Sequence, residues 1–152
     1  MQEPIYIDEV QFQETLIERV DWFEIEWFET QKHLFKRTTK QGIELHIERK
    51  QGHIWQQGDV LYCNGRLLAQ VVVKPTLTIQ FSVTNGAPIA DFTYYIGNRH
   101  LPIFIEKETN QLLVPYDGQL YEQVIAKFPT YITLVKQPLH ATMLLTQQQT
   151  QV

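Results

Sequence analysis

Histidine is the residue type in this chain best suited to chemistry, and it occurs at five positions: His33, His46, His53, His100 and His140. A neutral imidazole nitrogen can bind a first-row divalent metal or act as a general base. His46 sits within Glu44-Leu-His-Ile-Glu48, so strand alternation places it on one face with two carboxylates. Such a face could hold a metal loosely, but polar alternation is the ordinary pattern of a half-exposed strand, and we read it that way. His100 lies in Gly97-Asn-Arg-His-Leu-Pro102, just past the end of an expected helix. From position alone it is either a helix-end histidine bonded to a free carbonyl or a ligand. Other catalytic signatures are missing from the sequence: no phosphate-binding glycine loop, no Gly-x-Ser-x-Gly and no His-Glu-x-x-His. A general base at His100 with Arg99 as an anion clamp would lack a nucleophile or paired carboxylate, so no enzyme is expected. The single cysteine, Cys63, has no neighbouring base and reads as a small, half-buried apolar residue. With one cysteine there is no intrachain disulfide, which fits a reducing compartment.

The elements that must position these residues divide into two groups. Residues 1–75 read as β. Phe23, Ile25 and Trp27 alternate, Leu34 to Thr39 is a second strand, and Ile43, Leu45 and Ile47 line one face of a third. Asn64-Gly65 is a two-residue hairpin signal between Val60–Cys63 and Leu67–Val73. Pro75 interrupts this pattern and marks a domain boundary. Beyond it, Leu77 to Val83 reads as a strand. Asn85 is placed to cap a helix, with Pro88 in its first turn, Ile89, Phe92 and Ile96 on one side and Gly97 to end it. Two strands follow, Pro102–Glu106 and Gln111–Tyr116. Asp117 then caps a helix that buries Leu120, Val124 and Phe128 and stops at Pro129, and a last strand starts at Tyr131. The order βαββαβ is the ferredoxin-like pattern. The expected fold is therefore α+β: a small all-β domain over 1–75, then a ferredoxin-like domain over 76–152 whose polar, glutamine-rich tail is disordered from about residue 141.

Composition narrows the function. The chain has 152 residues, 43% of them hydrophobic and 20% charged, with a formal net charge of −4 and interspersed signs. No basic face for nucleic acid is implied. No apolar run approaches the ~20 residues of a membrane span. The N-terminus lacks a basic region followed by an apolar stretch, so no signal peptide is read, and a cytoplasmic protein is expected. Trp22, Phe28 and Trp55 are candidates either for a contact surface or for core packing.

Several segments together resemble one family. Ile96-Gly-Asn-Arg-His-Leu-Pro102 is similar to the signature segment of the UreE family of urease accessory proteins. Gln31-Lys-His-Leu-Phe-Lys-Arg37, the turn after it and Gly58-Asp-Val-Leu61 resemble that family's first domain. Leu112-Leu-Val-Pro-Tyr-Asp117 resembles the stretch after its metal histidine. The resemblance covers roughly residues 21 to 140.

It implies a nickel metallochaperone that is not an enzyme, with a β domain for protein contacts and a metal-binding domain that forms homodimers. His100 would meet its symmetry mate around one Ni²⁺, because a two-fold axis presents the same residue from each side. His140 is the candidate supplementary ligand, with a surface histidine as the alternative. Zn²⁺ or Cu²⁺ could replace nickel at such donors. The implied partners are the accessory GTPase UreG and apo-urease. The chain departs from many members in having no histidine after His140, which implies few metal sites and little storage. A competing reading is an adaptor of the maturation complex whose metal binding is weak or lost.

Overall fold

A computed structural model describes residues 3–82 and 86–145. The fold is α+β, with two compact units, Met1–Lys74 and Pro75–Val152.

Among the described residues the first unit contains seven strands: β1 (Ile5–Tyr6), β2 (Glu9–Gln11), β3 (Trp22–Ile25), β4 (Leu34–Thr38), β5 (Glu44–Glu48), β6 (Val60–Cys63) and β7 (Arg66–Val73). They form a three-stranded sheet in the order β1-β5-β4 and a four-stranded sheet in the order β2-β6-β7-β3. Alternation explains the core. Leu45 and Ile47 of β5 and Phe35 of β4 point inward from one sheet, and Phe23, Ile25, Leu61, Ala69, Val71 and Val73 from the other. Glu44, His46 and Glu48 take the outer face of β5. Asn64 and Gly65 both have positive φ, 52° and 77°, as a two-residue type I′ turn requires, and Cys63 pairs with Arg66 across it.

Two features depart from the strand pattern read in the sequence, and the candidate surface aromatics divide between core and surface. Trp27 does not continue β3 but begins a 3-10 turn over Trp27–Glu29. The Glu29 carboxylate accepts from the Glu26 N–H at 2.9 Å and from both terminal nitrogens of Arg37, and these bonds hold the chain out of the strand. Trp55 is fully buried and donates its indole N–H to the Lys32 carbonyl at 2.8 Å, so it belongs to the core, whereas Phe28 is exposed. The short strands β1 and β2, not foreseen, precede the long loop that leads to β3. Gln70 secures that loop from inside the core: its amide accepts from Ile17 N–H and donates to the Thr15 and Gly58 carbonyls. Gly58 has φ +101°, and a Cβ there would stand 2.0 Å from the Gln13 carbonyl oxygen, so only glycine fits.

The second unit runs β8 (Thr76–Phe81), α1 (Ala87–Asn98), β9 (Phe104–Ile105), β10 (Leu112–Pro115), α2 (Gly118–Lys127) and β11 (Ile132–Gln137). Its strands are all antiparallel, in the order β11-β8-β10-β9. Phe92 and Ile96 of α1 and Leu120 and Val124 of α2 pack with Ile79, Phe81, Leu112, Val114 and Ile132 in one core, so both helices lie on one face of the sheet. Asp117 caps α2 by accepting from the Leu120 N–H at 2.9 Å. At the start of α1 the N-cap is Gly86; Asn85 and Val83 lie outside the described residues.

The C-terminal segment is more ordered than its sequence suggested. Ala141–Met143 form a 3-10 turn, Leu144 makes a bridge with Phe104 of β9, and the Leu145 N–H donates to the Ile103 carbonyl at 2.7 Å. Starting from β11 at one edge of the sheet, the chain thus reaches β9 at the other. The register puts Leu113 and Phe104 on the face away from the helices, and both are buried, as is Leu139. Apolar Leu139, Met143, Leu144 and Leu145 give this segment surface to bury, and the hydrophobic gain offsets the entropy of ordering it. Residues 146–152, where the glutamine-rich tail was expected to be disordered, lie outside the described residues.

His53 provides a handle on the first unit. Its Nε2 is buried without a hydrogen-bond partner, and its ring meets the edge of Trp55 with centroids 4.5 Å apart. Burial lowers its pKa below the ordinary value; Asp59 opposes that shift and Arg49 adds to it. A histidine with a depressed folded-state pKa binds fewer protons folded than unfolded, so its contribution is complete above about pH 6.5 and is lost as pH falls through the lowered value. The urea midpoint followed by tryptophan fluorescence, which reports only this unit because Trp22, Trp27 and Trp55 all lie in it, should fall from pH 7.5 to 5.5. In His53→Phe that fall should be smaller. An equal fall in both proteins would exclude His53 as its source.

Candidate metal-ligand site

The site begins with the way α1 ends. A helix leaves its last carbonyls without intrahelical partners. Here the Leu101 N–H bonds to the Ile96 carbonyl at 3.4 Å, and the His100 N–H bonds to the Gly97 carbonyl at 2.9 Å. This six-to-one and five-to-two pair is the Schellman arrangement, which needs one left-handed residue at the position just past the cap. That residue is His100, with φ 58°. Gly97, expected to end the helix, is instead in its last turn, and Arg99 is the C-cap residue, its N–H bonded to the Ile96 carbonyl at 3.1 Å. The register follows from burial. Ile96 is the last fully buried residue of α1, and Leu101 packs against the same core, giving the apolar closure that accompanies this motif.

The result is an imidazole presented outward. His100 is exposed and lies beyond a helix C-terminus, whose partial negative potential favours a cation. The Arg99 guanidinium lies over the Tyr95 ring, 3.7 Å from its centroid, one turn back along the helix.

His140 is the residue before the 3-10 turn, in extended conformation, with its carbonyl accepting from the Met143 N–H at 2.9 Å. It is half-buried, its Nδ1 is buried without a hydrogen-bond partner, and burial lowers its pKa. After His140 the chain returns to β9 and the residue before it, through Leu144 to Phe104 and Leu145 to Ile103. Among the described residues no group of three or more His, Cys, Asp or Glu side chains comes together as a metal site.

The other histidines are accounted for locally. His46 lies 3.7 Å from a Glu44 carboxylate oxygen and against the edge of Tyr6, with ring centroids 5.0 Å apart. His33 is exposed, and its carbonyl accepts from the Arg49 N–H at 2.8 Å. Cys63 is a half-buried free thiol at the end of β6. Among the described residues no helix is long and apolar enough to cross a membrane.

Fold and site together define a small two-unit α+β protein that displays an exposed histidine at a helix terminus. Comparison with known proteins gives the family. The chain is 33% identical over 106 residues to the urease accessory protein UreE of Acetivibrio thermocellus, covering 70% of this chain and 68% of that protein. To UreE of Flavobacterium johnsoniae it is 31% identical over 108 residues, covering 70% of this chain and 64% of that one. To UreE of Actinobacillus pleuropneumoniae it is 26% identical over 106 residues, covering 69% and 56%. No family model matches the chain. The chain belongs to the urease accessory protein UreE family, whose members are accessory proteins and not enzymes.

The left-handed backbone at His100 sets up a stability test. An L-residue there costs about 1–2 kcal/mol relative to right-handed helix geometry, a cost that glycine escapes and a β-branched residue feels most. By urea unfolding, His100→Gly should be at least as stable as the unaltered protein. His100→Val should be destabilised by about 1 kcal/mol. Equal stability of the two variants would mean that position 100 is not held left-handed in solution.

Proposed function

We propose that this chain is a nickel carrier of urease maturation that works as a homodimer in the cytoplasm. In this reading His100 of each protomer binds one shared Ni²⁺, and His140 supplements the site. The ion then passes, through the accessory GTPase UreG, toward apo-urease. The second unit is read as a ferredoxin-like metal-binding and dimerisation domain, which its βαββαβ element order and the β11-β8-β10-β9 sheet support. The first unit is read as the domain for protein contacts.

The observation that carries this reading is the exposed imidazole of His100 in a left-handed position that would ordinarily favour glycine. Backbone strain of this kind persists where surrounding structure holds it, and it concentrates at functional positions. The donor chemistry fits the cargo, because imidazole nitrogen suits nickel. Burial holds His140 in the neutral form that a metal requires. A single exposed histidine binds weakly, and a two-fold axis doubles it while leaving the coordination sphere open for release. The same donors would accept Zn²⁺ and, by the Irving–Williams order, Cu²⁺ still more tightly.

Nickel titration calorimetry of the full chain, with sedimentation to follow the dimer, tests the proposal. His100→Gly preserves the helix end and removes the imidazole, so the tightest site, one ion per dimer, should disappear while the dimer persists. His140→Ala should weaken that site by about tenfold, roughly 1.4 kcal/mol. Wild-type binding by His100→Gly would defeat the proposal.

A further inference from the structure

His100 is preceded by an arginine, and a guanidinium beside a bound divalent cation repels it. The side chain of Arg99 is long enough to reach around its own helix end, and in a symmetric dimer with a shared ion two such charges would approach one metal. The structure shows where this charge is kept. The Arg99 Cζ stands over the Tyr95 ring, 3.7 Å from its centroid, and its Nη1 donates to the Tyr95 carbonyl at 3.5 Å. Tyr95 is itself anchored from the other helix: its hydroxyl donates to the Gln123 side-chain carbonyl on α2 at 3.2 Å. Its ring also meets the edge of Phe128 at 6.4 Å. A second cation shares the ring, with Lys127 Nζ 5.5 Å from the same centroid. Tyr95 is half-buried and packs against the core of this unit.

We propose that Tyr95 is a positioning residue for the metal site: its ring captures the Arg99 guanidinium and holds that positive charge one helical turn away from the ion at His100. This rests on the reading of His100 as a nickel ligand. The cation is attracted to the ring face by the quadrupole, and it is drawn backward by the carbonyl of the residue four positions earlier. Tyr95 contributes no donor to the metal. It sets the local electrostatic potential that the incoming ion meets.

The test is a double-mutant cycle read by nickel titration of the full chain. Tyr95→Leu keeps apolar packing and removes the ring face, and it should weaken nickel affinity by about tenfold at low ionic strength. The loss should shrink at about 0.5 M salt, where charges at this separation are screened. In an Arg99→Gln background the same substitution should have no effect on affinity, since there is no charge left to displace. Tyr95→Phe, which retains the ring, should bind within about twofold of the unaltered chain. A loss in Tyr95→Leu that persists with Arg99→Gln, or that ignores salt, would mean that the ring acts only through packing, and the proposal falls. Unchanged affinity in Tyr95→Leu overturns it equally. These results leave the role of His100 standing, whereas wild-type nickel binding by His100→Gly overturns both readings.

Discussion

A helix must find partners for its last carbonyls, and at the end of α1 this chain meets that need by turning a single residue left-handed. Much of the second unit depends on that turn. The bonds from His100 and Leu101 back to Gly97 and Ile96 close the helix, and Leu101 returns to the core that Ile96 occupies. The reversed backbone directs the chain toward β9. The same φ of 58° leaves the imidazole outside, where neither helix nor sheet covers it. One local hydrogen-bond requirement thus decides both the path of the chain and the exposure of its most interesting side chain.

The helices were legible because each combines a buried stripe with end signals. Phe92 and Ile96, and Leu120, Val124 and Phe128, recur at helical spacing, and Asp117 stands where a cap must. Asn64-Gly65 and the alternation of β5 were legible for equally local reasons. What escaped depends on distant partners. β1 and β2 are two and three residues long and exist because β5 and β6, far along the chain, supply their ladders. Trp27 continues the apolar alternation of β3 yet leaves it, because Glu29 binds the Glu26 amide and Arg37. Alternation says nothing of such a carboxylate bridge.

The candidate site divides in the same way. That His100 follows a helix end could be read from residue types. That it takes the left-handed position, in place of the nearby Gly97, could not be, because the register of a Schellman closure is set by which residue is buried last, here Ile96. The order in residues 141–145 did have a signal in Leu139, Met143, Leu144 and Leu145, an apolar cluster masked by the glutamines that follow it. Read as a sheet cover, it would have linked the segment that follows His140 to β9.

The strain and the incompleteness of the site bear on each other. Glycine at position 100 would relieve the backbone, so an imidazole kept there costs stability and needs a compensating role. One exposed histidine is too weak a ligand to supply that role alone, and the described residues bring no second and third donor to it. A second copy of the same histidine across a two-fold axis would. If so, ion binding and assembly are thermodynamically linked: an ion that binds only the dimer stabilises the dimer, by RT ln(1 + [L]/Kd). By the same linkage, separating the protomers would weaken the hold on such an ion. A donor set that is completed by symmetry, left open to solvent and kept clear of the neighbouring arginine suits transfer of an ion better than its storage.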